Sequence, residues 1–351
     1  MIKHGFLFEK IYDKENLKLA HYNARKDKSH YKEVMRINEN LDHYIDKLHN
    51  LLINKEYINS KYVVFKKVTD SGKIREIHKL PYFPDRIIHH AILQIIEPIW
   101  RNSLIRDTYS SIKGRGIHDG INRINKALRD VNNTRYCLKI DISKYYPSIN
   151  NEILKNVVKV KIKDKNLLWL LDEIINSTDG VPIGNYLSQY FGNIYLNELD
   201  HMMKENNKYY FRYCDDIVIL DSNKENLFKL KNDIEKYLVD HRKLKLKHNW
   251  QIFPVDDRSI DFLGYRFFHK FRLLRKSIKI RFIRLIKRIK NFHHIMKPTE
   301  IINGLMSYYG WLKYGNCMRL TKKYIDNEII NIVNNVCYKN NLNNPLKKIC
   351  Y

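Results

Sequence analysis

Residues 208–222 read KYYFRYCDDIVILDS, and this stretch decides the fold. Aromatic and β-branched residues alternate on both flanks, the pattern of a half-buried strand. Asp215 and Asp216 break that pattern in its middle. Two adjacent carboxylates repel one another and resist burial, so a cationic partner is expected beside them. Alone, such a pair can simply cap a hairpin turn. Whether it does more depends on where the chain places its other acids.

The segment RYCLKIDISKYYPSI (135–149) predicts a buried strand ending at Asp141. The order is therefore strand and Asp141, then helices, then a hairpin bearing Asp215 and Asp216. A strand-end carboxylate beside a hairpin-tip pair can hold two Mg²⁺ ions roughly 4 Å apart. Hard divalent cations prefer oxygen ligands and retain water, so two or three aspartates plus substrate phosphates suffice, and Mn²⁺ can substitute.

The chain has 351 residues, long enough for two or three units with a real core. Apolar content of 44% excludes wholesale disorder. Lys and Arg number 64 against 38 Asp and Glu, a net charge of +26. A field of that size suits nucleic acid or an anionic membrane surface. No apolar run approaches about 18 residues, and MIKHGFLFEKIYDKEN at the N-terminus lacks signal-peptide architecture. Nucleic acid is therefore the expected partner, no membrane is expected, and the expected location is cytoplasmic. The five cysteines (Cys137, Cys214, Cys317, Cys337, Cys350) are scattered without zinc spacing and read as reduced thiols. Twenty-five tyrosines add stacking surface, most of it ordinary packing.

The chain shows no internal repeat and no Pro/Gly/Ser linker. Residues 1–60 read as a basic helical extension, with Leu41, Ile45, Leu48 and Leu52 at helical spacing. Residues 61–80 predict a hairpin closed by an Asp-Ser-Gly turn. A helix is predicted over 85–100, beginning at an N-terminal Asp, and others over 116–130 and 224–240. Helical sequence fills 150–177, and one helix is predicted over 186–205. A strand pair is expected around IDFLGYRFF. From Lys270 to Lys290 there are ten basic residues and no acid. Ile278, Phe282, Leu285 and Ile289 form one helical stripe there, and Arg281, Arg284 and Arg288 another, which suits phosphate contact. His89, His90, His293 and His294 lack partners at ligand spacing and read as packing or RNA-facing groups. In IKGRGIHDG the P-loop spacing is absent, so Lys113 and Arg115 are read as template-strand contacts.

The tetrapeptide YCDD fits the [FY]-x-D-D box of reverse transcriptases, and other segments follow that family's order. LKIDISKYYPSI resembles the first catalytic motif. GVPIGNYLSQ resembles the nucleotide- and template-contacting loop and helix. IDFLGYRF resembles the primer-grip hairpin, and SYYGWLKYGN the thumb helix of group II intron-like enzymes. The resemblance spans roughly 60–320. It implies an α+β right-hand polymerase: fingers over 61–134, a palm of antiparallel sheet packed on helices over 135–265 (with finger insertions), and the primer-grip end and helical thumb over 266–351.

It also implies roles. Asp141 and Asp215 would ligate two catalytic Mg²⁺ ions, with the Ile142 carbonyl as a further oxygen and Asp216 completing the cluster. One ion would lower the pKa of a primer 3′-hydroxyl, and the other would steady the departing pyrophosphate. Tyr146 matches the aromatic residue under the sugar that excludes a 2′-hydroxyl. Lys73 and Arg75 resemble the basic pair gripping the incoming dNTP. Ile183, Gly184, Ser188 and Gln189 stand where most reverse transcriptases carry Gln-Gly and Ser-Pro. An Ile/Val/Leu-Gly-x-x-x-Ser-Gln pattern resembles the enzymes of diversity-generating retroelements. Those enzymes copy a structured template RNA with errors at adenines and work with a small basic accessory protein. A defence-associated or retron-like enzyme making cDNA from a noncoding RNA is the alternative, although the retron Val-Thr-Gly signature is not found. A silent RNA-binding scaffold is disfavoured by the three intact aspartates, and an RNA-dependent RNA polymerase by Cys214 where a Gly is common. No nuclease, integrase or RNase H-like segment is recognised after the thumb, so the protein is not expected to cut its target or degrade its template.

Overall fold

The computed structural model describes residues 2–69 and 72–349. Asp70 and Ser71 of the predicted Asp-Ser-Gly turn, and Cys350, lie outside them. The chain divides into two compact units, one of Met1–Gly116, Ile140–Ile219 and Phe228–Trp250, the other of Ile117–Lys139, Leu220–Leu227 and Gln251–Tyr351.

In the first unit, short polar side chains set the helix starts. The Asp13 carboxylate accepts from Glu15 N and Asn16 N, both at 3.1 Å, and opens helix Lys14–Ala24. Helix Leu41–Ile53 buries Ile45, Leu48 and Leu52 of the predicted stripe, while Leu41, at its first position, is half-buried. Strands β1 (Val63–Val68) and β2 (Ile74–Lys79) form the predicted hairpin, antiparallel with Lys67 opposite Arg75. Every residue of β1 is exposed.

The next helix spans Ile87–Ser103 rather than starting at Asp85. Asp85 turns inward instead, fully buried, and accepts from Tyr57 Oη (2.8 Å) and Ser60 N (3.1 Å). An acid after a proline looks like a first-turn residue, but two donors in the incoming chain claim this one. The helix predicted over 186–205 is broken at Leu196 into Ser188–Tyr195 and Asn197–Asn206.

A two-residue strand that the pattern does not signal, β3 (Thr108–Tyr109), pairs in parallel with β5 (Tyr209–Tyr213); β4 (Tyr136–Asp141) and β6 (Asp216–Asp221) complete the order β3-β5-β6-β4. The sheet is thus not purely antiparallel. Cys214 and Asp215 form the two-residue turn between β5 and β6, with Cys214 at φ +53°, as tight hairpins demand.

The turn is tied from behind. Arg212 is completely buried and forms a bidentate pair with the equally buried Asp200, at 2.6 and 2.5 Å. Its Nη1 donates to the Cys214 carbonyl, and Nη2, which also meets Asp200, donates to the Asn193 carbonyl, both at 2.9 Å. Tyr210 Oη and Thr108 Oγ1 donate to the same carboxylate, so both buried charges are fully hydrogen-bonded.

In the second unit, the Tyr136–Lys139 part of β4 pairs antiparallel with β7 (Gln251–Pro254). A separate sheet runs β10-β9-β8, from β8 (Ile260–Phe262), β9 (Tyr265–Phe267) and β10 (Arg272–Leu274). β10 occupies the start of the acid-free run, and helix Lys276–Phe292 takes the rest. That helix buries Ile278, Phe282, Ile286 and Ile289, so Ile286 takes the core place expected of Leu285. Helices Pro298–Lys313 and Asn327–Lys339 pack with it. Gly264, at φ +84°, is needed because a Cβ there would lie 2.5 Å from the Trp311 ring.

Candidate active site

The first unit brings Asp141 and Asp215 together. Asp141 ends β4, and Ile142 N donates to Asp215 O at 3.2 Å, which locks the hairpin tip to the strand end. Behind them runs Leu244-Lys245-Leu246-Lys247. Leu246 bridges antiparallel to Ile142, and Lys247 N donates to Asp141 O at 2.9 Å. The Lys247 ammonium therefore lies 3.4 Å from Asp141 Oδ1 and 4.0 Å from Asp215 Oδ2. It is the cation that the opening stretch calls for. The two carboxylates are only partly open to solvent, at 32% and 36% of their side-chain surface. Burial holds the Asp215 carboxyl above the ordinary carboxylate range, while the fields of Lys247 and Arg75 pull the other way. Asp216 opens β6, half-buried.

Among the described residues, no three His, Cys, Asp or Glu side chains are gathered as a finished metal centre would gather them. What the chain provides is two hard oxygen donors already sharing one positive charge. That donor set fits Mg²⁺ or Mn²⁺ of the kind completed by water and substrate phosphate.

Tyr146 sits on the same side. Its hydroxyl donates to Gln189 Oε1 at 3.0 Å and lies 3.5 Å from Cys214 Sγ. Burial first, then the Cys214 thiol, pushes the phenol far above its usual pKa, so it stays a neutral donor. Ser110 and Ser111 hydroxyls also reach Gln189 Oε1, at 3.5 and 3.3 Å. Gly192 leaves room for the ring: a Cβ there would lie 2.9 Å from Tyr146 Cε1.

The remaining predicted residues are placed as follows. Ser188 is buried, and its hydroxyl donates to Pro182 O at 2.5 Å. Ile183 is half-buried, and its carbonyl accepts from His78 N of β2 at 2.8 Å. Gly184 is exposed at φ +120°, pressed so near β2 that a Cβ would lie 2.6 Å from His78 O. Lys73 and Arg75 are exposed on the β1–β2 hairpin. Lys113 is exposed, whereas Arg115 donates to Ile105 O at 2.8 Å. In the second unit Arg284 is exposed, Arg281 is half-buried, and Arg288 pairs with Glu300 at 2.9 Å.

Sequence reasoning missed Lys247, the Arg212–Asp200 pair and the serines beside Gln189. The alternation in Leu-Lys-Leu-Lys was a usable signal, since it puts Lys245 and Lys247 on one face of an extended segment. Nothing local, however, says that this face meets Asp141.

The reverse transcriptase (RNA-dependent DNA polymerase) profile matches residues 64–267, more than half of the chain. The chain therefore belongs to that family, and its fold is that of a right-hand polymerase. Among its relatives is Protein YkfC of Escherichia coli (strain K12), 26% identical over 247 residues, 57% of this chain and 65% of that one. Another is the group II intron-encoded protein LtrA of Lactococcus lactis subsp. cremoris, 26% identical over 142 residues, 37% of this chain. The chain thus spans 65% of the first relative's length and 23% of the second's. Apo telomerase from Candida tropicalis is a structural neighbour, with a TM-score of 0.49 and 15% identity over 84% of this chain and 62% of that one. No helix among the described residues is long and apolar enough to cross a membrane.

Proposed function

We propose that the protein is an RNA-directed DNA polymerase that extends a primer along a structured template RNA by nucleotidyl transfer from dNTPs. The observation that carries this reading is the pairing of Asp141 and Asp215 across one lysine, with Tyr146 and Gln189 beside them. Asp141, Asp215 and the Ile142 carbonyl would hold Mg²⁺, with Asp216 in support. Two such ions, when bound, supply charge that favours an ionised primer 3′-oxygen and a departing pyrophosphate.

The chain's own groups do the rest. Lys247 keeps the two carboxylates from repelling one another until the site is loaded. Tyr146, its ring fixed by Gln189 and given space by Gly192, lies under the sugar and excludes a 2′-hydroxyl. Lys73 and Arg75 bind the triphosphate, Arg75 as a planar bidentate donor. Residues 61–134, 135–265 and 266–351 serve as fingers, palm and thumb. Lys113, Arg281, Arg284 and the partly neutralised Arg288 contact template and primer phosphates.

The finer reading is a diversity-generating retroelement enzyme, working with a small basic accessory protein. Ile183 supports it: where a Gln would hydrogen-bond near the nascent pair, Ile offers only apolar contact, and a misaligned pair forfeits less. Primer extension on a defined RNA, followed by cDNA sequencing, tests both levels. Extension with errors concentrated at template adenines supports the reading. Extension with evenly spread errors points instead to cDNA synthesis in phage defence. Absence of dNTP incorporation sinks the polymerase assignment.

A further inference from the structure

Beside the Ile183–Gly184 loop, and lined in part by it, lies a cavity of about 190 Å³. Lys28, Tyr31, Lys79, Arg86, His89 and Tyr186 are among the residues that line it. Its wall is an aromatic platform. Tyr186 stacks flat on His90, with centroids 3.7 Å apart and planes 12° from parallel. One face of the Tyr186 ring is thereby held, and 43% of the residue remains exposed. His89, only 1% exposed, also lines it, and its Nε2 has no hydrogen-bond partner among the described residues. A buried polar atom of this kind costs stability unless a ligand satisfies it. Burial also lowers the pKa of His89 to about 4, so near neutral pH the ring offers a neutral hydrogen-bonding edge rather than a charge. Lys28, Lys79 and Arg86 supply the lining cations, and the Glu33 carboxylate, also in the lining, accepts from the Tyr82 and Phe83 amides.

We propose that this cavity captures one unpaired nucleobase of the RNA strand, stacked on Tyr186 with its edge against His89 Nε2, while Lys28, Lys79 and Arg86 hold the flanking phosphates. This rests on the polymerase reading, and it adds a subsite to it. The chemistry is that of single-strand recognition, in which a splayed base stacks on an aromatic face and is read along its edge. A phosphate alone would match the lining cations but would leave the neutral His89 edge unused. About 190 Å³ is room for a single heterocycle, with the sugar and phosphates left outside. Gly184 and Asn185 line it too, one residue beyond Ile183, so the captured base would be a template base not yet copied.

The test is binding of a primer–template with a single-stranded RNA overhang in which each overhang base is removed in turn. One position should stand out, its abasic form binding at least fivefold more weakly to the wild-type protein. Tyr186→Ala, at an exposed position and therefore mild for folding, should abolish that sensitivity. His89→Phe should keep the stacking sensitivity but flatten any preference among the four bases there. Equal effects at every overhang position, or an undiminished position effect in Tyr186→Ala, would overturn the proposal. Primer extension with the same duplexes reports separately on the polymerase reading. Loss of extension with the position effect intact would remove that reading and leave the pocket standing.

Discussion

Two hairpins of the first unit carry charged residues at comparable sequence cost, yet they are built in opposite ways. In β5–β6 the strand interiors are buried, the turn is bound by Arg212, and Asp215 is locked to Ile142. In β1–β2 almost every side chain is exposed, with Lys73 in the connection just before β2 and Arg75 on β2 itself. Groups that must hold two oxygens in one geometry sit where the fold is over-determined. Groups that meet a large, charged, incoming ligand sit where side chains remain free to adjust.

That contrast can be broken or sharpened by substitution. The largest effect is expected in the rigid hairpin. Asp141→Asn or Asp215→Asn should lower single-nucleotide incorporation by about 10³-fold or more, with the fall in kcat rather than in KM. A thermal melt should show both variants folded. A smaller loss confined to KM would place these acids outside the chemistry.

Next comes Tyr146→Ala, which should reduce discrimination against rNTPs by about 10²-fold, read as the ratio of kcat/KM values for dNTP and rNTP. Gly192→Ala, which crowds the same ring, should act in the same direction more weakly. In the exposed hairpin, Lys73→Ala and Arg75→Ala should each raise KM for dNTP by about tenfold while changing kcat little. An equal fall in kcat for these variants would erase the distinction between the two hairpins.

Lys247→Met should lower the melting temperature by a few degrees in EDTA, because two carboxylates then face each other unshielded. Millimolar Mg²⁺ should restore most of the loss. The pH dependence follows from Asp215. Its carboxyl is raised by burial, so protons compete with the divalent cation at a higher pH than for a free carboxylate. Activity should fall as pH drops through that raised value, and more Mg²⁺ should move the acid limb to lower pH. An acid limb indifferent to Mg²⁺ would separate Asp215 from the cation.

Much of this arrangement was legible in the sequence. The alternation around Asp215, the strand ending at Asp141 and the β1–β2 hairpin all arise from local patterning, and they appear as expected. What was not legible depends on partners distant in sequence. Asp85 reads as a helix start and becomes a buried tie to Tyr57 and Ser60. Lys247 reads as one more surface lysine in a chain of net charge +26, until the Leu246–Ile142 bridge sets it against Asp141. The partner of Gln189 within the fold was not legible either: its side-chain oxygen accepts from the Tyr146 hydroxyl. The acid-free run to Lys290 looked uncompensated because its acids lie outside it, Asp261 of β8 for Arg275, Glu300 for Arg288, and Asp326 and Glu328 for Lys290.

The most direct test is Mn²⁺ anomalous diffraction from crystals of the protein with a primer–template and a non-hydrolysable dNTP. We expect two peaks roughly 4 Å apart, each within coordination distance of Asp141 or Asp215, with the Lys247 ammonium displaced from between them. Bound nucleotide with no metal near either carboxylate, and Lys247 still bridging the two, would contradict the account.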